Sequence, residues 1–143
     1  MYDGYDCSGI VIYKIYCYDV NIKDIYIGYT KNFENRKKIH EENSEYKNTK
    51  LYISIRENGG WDNWNMIIIE KCNYNTREEV LIRQRELIEK INATLNTIIP
   101  IRSKEEKKES IICDCGSSYT YNNKSKHIKT IKHKEYEKYI NLN

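Results

Sequence analysis

Four side chains near one end of the chain have the types and spacing of a metal site. Cys113 and Cys115 are one residue apart, eleven residues separate Cys115 from His127, and five separate His127 from His133. Two thiolates and two imidazoles suit tetrahedral Zn²⁺. Gly116 suits the tight turn that must follow the second cysteine. The histidines fall in an expected helix from Ser125 to Tyr139, where Ile128, Ile131, Tyr136 and Ile140 could pack a small core against Tyr119 or Tyr121. A module this small has too little apolar area to fold without a staple, so Zn²⁺ is expected to supply one. The same helix carries Lys126, Lys129 and Lys132, which could meet phosphates. Cys7, Cys17 and Cys72 have no histidine neighbours and read as partly buried thiols.

A second group lies earlier. Arg36 and His40 are four residues apart, one helical turn, and so share a face. Just before them stands Tyr26-Ile27-Gly28, where a glycine at a strand end permits close backbone approach. The elements that must position these residues follow from the pattern. Residues 10–17 and 24–29 are β-branched and aromatic and read as two strands joined by a polar turn over 18–23, a hairpin. Thr30 or Asn32 can cap a helix over 33–43. A weaker helix over 50–57 stops at Asn58-Gly59-Gly60. Residues 65–72 read as a third strand. Thr76 with Glu79 forms a capping box for a helix running to about Ile91.

These residues, in this order, resemble the GIY-YIG nuclease family. Its first motif corresponds to Val11-Ile12-Tyr13, with Val where Gly is usual, and its second to Tyr26-Ile27-Gly28. Arg36 and His40 follow at the family's interval, and Leu95-Asn96 matches its terminal pair. The resemblance spans residues 9–100 and implies an α/β (α+β) domain, a three-stranded antiparallel sheet flanked by helices. It also implies roles: Tyr13, with Tyr26 beside it, activates or positions a water, Arg36 holds the scissile phosphate, His40 assists proton transfer, and Asn96 braces the site. A divalent ion, Mg²⁺ or Mn²⁺, is the implied cofactor, and DNA the implied substrate. Residues 111–140 in turn resemble a C2H2-type zinc finger, and similar tails accompany such domains in some large DNA viruses.

The pattern breaks at the metal ligand. Where the family carries a glutamate, this chain has Gln84. Gln84 lies on the apolar stripe of its helix with Val80, Leu87, Ile88 and Ile91. Glu86 stands about 200° around the helix and should face solvent. A glutamine carbonyl can coordinate Mg²⁺ but brings no charge, so weaker metal binding and slower cleavage are expected.

Composition sets the remaining limits. Charged residues make up 31% of the chain, and no apolar run approaches the roughly 20 residues of a membrane helix. The five cysteines are an odd count, and no basic stretch leads into an apolar one at the N-terminus. Both point to a reducing, intracellular location, cytoplasm or nucleus, rather than secretion. Net charge is only +3, but residues 124–138 hold six lysines against Glu135 and Glu137. Residues 101–110 are almost wholly charged and read as a solvated linker or exposed helix. The leading expectation is a metal-dependent DNA endonuclease. Its rivals are a catalytically degenerate DNA-binding protein and a protein-interaction adaptor.

Overall fold

β1 (Val11–Cys17) is the central strand of a three-stranded antiparallel sheet, flanked by β2 (Ile25–Thr30) on one side and, further along the chain, β3 (Trp64–Lys71) on the other. The structure is a computed structural model and describes residues 6–71 and 73–141, together with the backbone but not the side chain of Tyr121. Cys72 lies outside the described residues, as does the side chain of Tyr121. The expected strands and the antiparallel sheet are present.

Alternation along β1 sends its side chains to two different cores. Ile12 meets Ile27, Val80, Leu87 and Ile88 on one face. Tyr13, Ile15 and Cys17 meet Leu51, Tyr52, Ile55, Trp64 and Met66 on the other. Helices cover both faces. α1 (Phe33–Tyr46) is capped by the Asn32 side chain, which accepts from the Asn35 N–H at 3.0 Å. α2 (Lys50–Glu57) ends where Gly59 takes φ +94°, letting the Gly60 N–H reach the Ile55 carbonyl at 2.9 Å. α3 (Arg77–Ile91) opens on the expected capping box of Thr76 and Glu79. Its buried residues are Val80, Gln84, Leu87 and Ile88, the stripe that its periodicity predicts.

β2 is an edge strand, and its open side is closed by the chain after α3. The Leu95 N–H reaches the Ile25 carbonyl at 3.0 Å. The Asn96 carboxamide accepts from the Ile27 N–H at 2.8 Å and donates to the Ile27 carbonyl at 2.7 Å. One side chain thus occupies both outward-facing groups of an edge residue that would otherwise be open to a foreign strand.

Two compact units divide the chain, residues 1–101 and 102–143. In the second, the charged segment is mostly exposed. It turns over residues 104–108, with Ser103 and Glu106 bonding each other's backbone N–H. A hairpin of β4 (Ser110–Ile112) and β5 (Ser118–Thr120) follows, too short for strand periodicity to reveal. The expected single helix from Ser125 to Tyr139 is two, α4 (Lys124–His127) and α5 (Ile131–Asn141). Thr130 makes the break: its hydroxyl donates to the His127 carbonyl at 2.7 Å and accepts from the His133 N–H at 3.3 Å, capping α5. The expected apolar core is corrected as well. Ile128, Ile131 and Ile140 are 42%, 76% and 49% exposed and Tyr136 is half-buried, whereas Cys115 and His127 are buried. Among the described residues of this unit the buried ones are of metal-ligating types, and Tyr119 stacks on His127 with ring centroids 4.6 Å apart.

Candidate active site

The site begins with a strand register. Tyr13 on β1 pairs with Gly28 on β2, and the missing Cβ at Gly28 makes room for the Tyr13 ring. A Cβ there would collide with the Tyr13 ring and hydroxyl, so the glycine is required by packing. Tyr26, two residues back on the same strand face, lies with its ring centroid 6.4 Å from that of Tyr13.

α1 supplies the next layer. His40 is 5% exposed, and its Nε2 lies 2.8 Å from the Tyr13 hydroxyl. Its Nδ1 lies 2.9 Å from the hydroxyl of Tyr52 on α2. Arg36, one turn earlier, is exposed and lines an open cavity of about 490 Å³ with Tyr13, Tyr26, Gly28, Thr30, Lys31 and Gln84. His40 does not line that cavity and reaches it only through Tyr13.

Gln84 comes to the same pocket from α3, which covers the opposite sheet face. Its Nε2 donates to the Ile27 carbonyl at 3.1 Å, the oxygen that Asn96 also binds. Glu86 points away and pairs with Arg83 at 2.7 Å. Five of the expected residues, Tyr13, Tyr26, Arg36, His40 and Gln84, therefore gather at one place. Asn96 stands behind β2, holding the Ile27 peptide between Tyr26 and Gly28. Tyr52 and Asn43 belong to the same network and were not foreseen. Asn43 lies three residues after His40, so helix geometry placed it within reach. A tyrosine on a short amphipathic helix carries no signal that separates it from an ordinary core residue.

The pocket's charged side chains are Lys31, which pairs with the exposed Asp6 carboxylate at 2.8 Å, and Arg36. Burial raises the phenol of Tyr13 well above its ordinary range and raises Tyr26 also. Burial, then the Arg36 charge, depresses the His40 imidazole from 6.5 to about 4. The residues that line the pocket offer phenol, hydroxyl and amide oxygens but no carboxylate, and Gln84 donates one of its two amide hydrogens to Ile27. Mg²⁺ ordinarily takes at least one carboxylate. The wild-type donor set therefore does not fit that ion.

In the second unit, Cys113, Cys115, His127 and His133 bring their ligand atoms within 4.8 Å of one another. Cys113 Sγ lies 3.3 Å from His133 Nδ1, and Cys115 Sγ lies 3.5 Å from His127 Nε2. Ligands about 2.0–2.3 Å from a tetrahedral zinc have roughly such separations. The far nitrogen of His133, Nε2, faces the Glu137 carboxylate at 3.2 Å, the kind of outer partner that orients a metal-bound imidazole. Lys126, Lys129 and Lys132 are exposed. Cys7 and Cys17 are buried free thiols. Among the described residues, no helix is long and apolar enough to cross a membrane.

A mixed sheet-and-helix domain with paired tyrosines over a buried histidine defines a class, and comparison with known proteins specifies it. Residues 9–96 match the profile of the GIY-YIG catalytic domain, and the chain belongs to that family. Among solved structures it is similar to the catalytic domain of the homing endonuclease I-TevI, at 25% identity and a TM-score of 0.52, over 66% of this chain and 99% of that one. No curated protein gives a significant match.

The depressed imidazole has a consequence for stability. Its folded pKa lies below its unfolded value, so on acidification the unfolded chain takes up a proton first. The contribution is complete above pH 6.5 and is lost as pH falls towards 4. It amounts to about 3 kcal/mol at roughly 1.4 kcal/mol per pH unit. Urea unfolding of the wild type and of His40→Gln, at neutral pH and near pH 4.5, checks this. The stability gap between them narrows in acid; a gap independent of pH contradicts it.

Proposed function

We propose that the chain acts on DNA as a GIY-YIG endonuclease whose phosphodiester cleavage is held low by the neutral amide of Gln84. One observation carries this reading. Tyr13, Tyr26 and Arg36 face one open pocket, and a carboxamide stands where the family resemblance calls for a carboxylate. The similar catalytic domain belongs to an endonuclease, which supports a nucleic-acid substrate.

Arg36 holds the phosphate and offsets the charge that gathers on its oxygens as the bond breaks. The hydroxyls of Tyr13 and Tyr26 orient the attacking water and the phosphate. Asn96 fixes the Ile27 peptide and with it the strand that presents Tyr26 and Gly28. His40 acts on the pocket through Tyr13. The missing element is negative charge: a phosphodiester bound beside Arg36 meets no carboxylate in the pocket lining to recruit Mg²⁺ or Mn²⁺. The same observation favours a second reading, a domain that grips DNA without cutting it.

In the second unit, Cys113, Cys115, His127 and His133 hold Zn²⁺ as a structural ion. The exposed Lys126, Lys129 and Lys132 add salt-dependent phosphate contacts. On this reading the chain works inside the cell, where DNA and reduced thiols coexist.

Two experiments test these readings. Supercoiled plasmid is incubated with Mg²⁺ or Mn²⁺ and wild type or Gln84→Glu. The variant cuts at least about tenfold faster, equivalent to about 1.4 kcal/mol of barrier, and adding Arg36→Ala abolishes the gain. Equal rates for wild type and Gln84→Glu sink the limiting role of Gln84, and tight binding without cleavage by either leaves the second reading. For the other unit, metal analysis finds one zinc per chain, and a strong chelator removes it and unfolds residues 110–141. A chelator that leaves the circular dichroism of the chain unchanged refutes the structural zinc.

A further inference from the structure

Behind Tyr13 lies a file of polar side chains that runs from the pocket to the far side of α1. The Tyr46 hydroxyl donates to Asn43 Oδ1 at 2.9 Å. Asn43 Nδ2 donates to the Tyr52 hydroxyl at 3.3 Å. The Tyr52 hydroxyl lies 2.9 Å from His40 Nδ1, and His40 Nε2 lies 2.8 Å from the Tyr13 hydroxyl. Tyr13, His40, Asn43 and Tyr52 are all buried, and only Tyr46 is exposed.

Such a file has a direction, because each group can donate only what it has. An amide nitrogen donates and never accepts, so the Tyr52 oxygen is the acceptor of Asn43. The hydroxyl hydrogen of Tyr52 then needs an acceptor of its own, since a buried donor left unpaired costs about 1–3 kcal/mol. His40 Nδ1 is in reach. That nitrogen must therefore be bare, and the single proton of the neutral imidazole sits on Nε2. Nε2–H in turn donates to the Tyr13 oxygen, leaving the hydroxyl hydrogen of Tyr13 free to turn towards the cavity that Tyr13 lines.

We infer that Asn43 and Tyr52 are positioning residues that hold His40 in its Nε2–H form, so that Tyr13 enters the pocket as a hydrogen-bond donor to a phosphate oxygen. This rests on the phosphodiester reading for the identity of the acceptor, but not for the state of His40. The arrangement keeps Tyr13 a phenol, because the imidazole nitrogen facing it already carries a hydrogen and cannot take another. Burial, which favours neutral Tyr13 and neutral His40 alike, agrees with it.

The reverse arrangement is well defined. If an oxygen of residue 43 faced Tyr52, Tyr52 would donate to it, His40 Nδ1–H would donate to Tyr52, and Tyr13 would give its hydrogen to Nε2. Tyr13 would then show the pocket only lone pairs. A carboxylate, which accepts and does not donate, imposes that order, so Asn43→Asp reverses the file.

Long-range ¹H–¹⁵N spectra of the full chain at neutral pH read the state of His40 directly. In the wild type Nε2 is protonated and Nδ1 bare. In Asn43→Asp the two exchange character, and in Tyr52→Phe, which keeps the ring and removes the hydroxyl, the bias towards Nε2–H is lost. A protonated Nδ1 in the wild type overturns the inference, as does an Nε2–H form that survives in Tyr52→Phe undiminished. A purely structural role for Tyr52 would not move these signals between nitrogens. The readout needs no cleavage. A wild type with Nε2–H, alongside a Gln84→Glu variant that never cuts, would sink the endonuclease reading and leave this one standing.

Discussion

The hydrogen bond between the Tyr13 hydroxyl and His40 joins the central strand to the first helix across 27 residues of sequence. It exists because Gly28 has no side chain. The ring of Tyr13 lies over that glycine, at a depth where a hydroxyl must find a partner, and α1 places an imidazole there. The rest of the first unit follows from this packing. α2 brings Tyr52 to the other nitrogen of the imidazole, Asn43 bonds Tyr52, and Arg36 is left one turn away at the mouth of the pocket. A layer of buried polar groups between sheet and helix is expensive to assemble and tolerates few substitutions, since each member leaves another unpaired when removed. A layer so interlocked suits the proposed function, in which the tyrosines stand beside a phosphate.

The Ile27 peptide is the second fixed point. Three polar groups converge on it: both ends of the Asn96 carboxamide and the Nε2 of Gln84. Here stability and chemistry compete for one side chain. A glutamate at position 84 could not donate to the Ile27 carbonyl at neutral pH and would place negative charge beside it, but it would also give the pocket the charge that a divalent ion requires. The glutamine makes the opposite choice, a satisfied hydrogen bond and a neutral site. Local order is gained where the family resemblance calls for electrostatic readiness, the familiar exchange between a stable site and an active one.

The sequence foretold some of this well. Strands β1 to β3 were legible because β-branched and aromatic runs of the right length stood between polar turns. The start of α3 was legible because Thr76 and Glu79 form a reciprocal cap whose spacing is fixed by helix geometry. The inward face of Gln84 followed from the period of its apolar neighbours. Tyr52 escaped notice because what distinguishes it, a bond to His40, is a tertiary fact with no local trace. The second unit was misread where local signals are weakest. Thr130 is compatible with a helix interior by propensity, and only its bonds to His127 and His133 reveal it as a cap. The isoleucines that suggested a small apolar core are exposed, and Cys115 and His127 are buried in their place.

The account rests on position 84 being the place where a divalent ion would bind and on the wild-type amide being what denies it. Calorimetric titration of Mn²⁺ into the zinc-loaded chain, wild type against Gln84→Glu, tests that most directly. The account predicts a saturable site in Gln84→Glu, with an affinity at least about tenfold above any seen in the wild type, or about 1.4 kcal/mol. Equal Mn²⁺ affinity in the two proteins would contradict it.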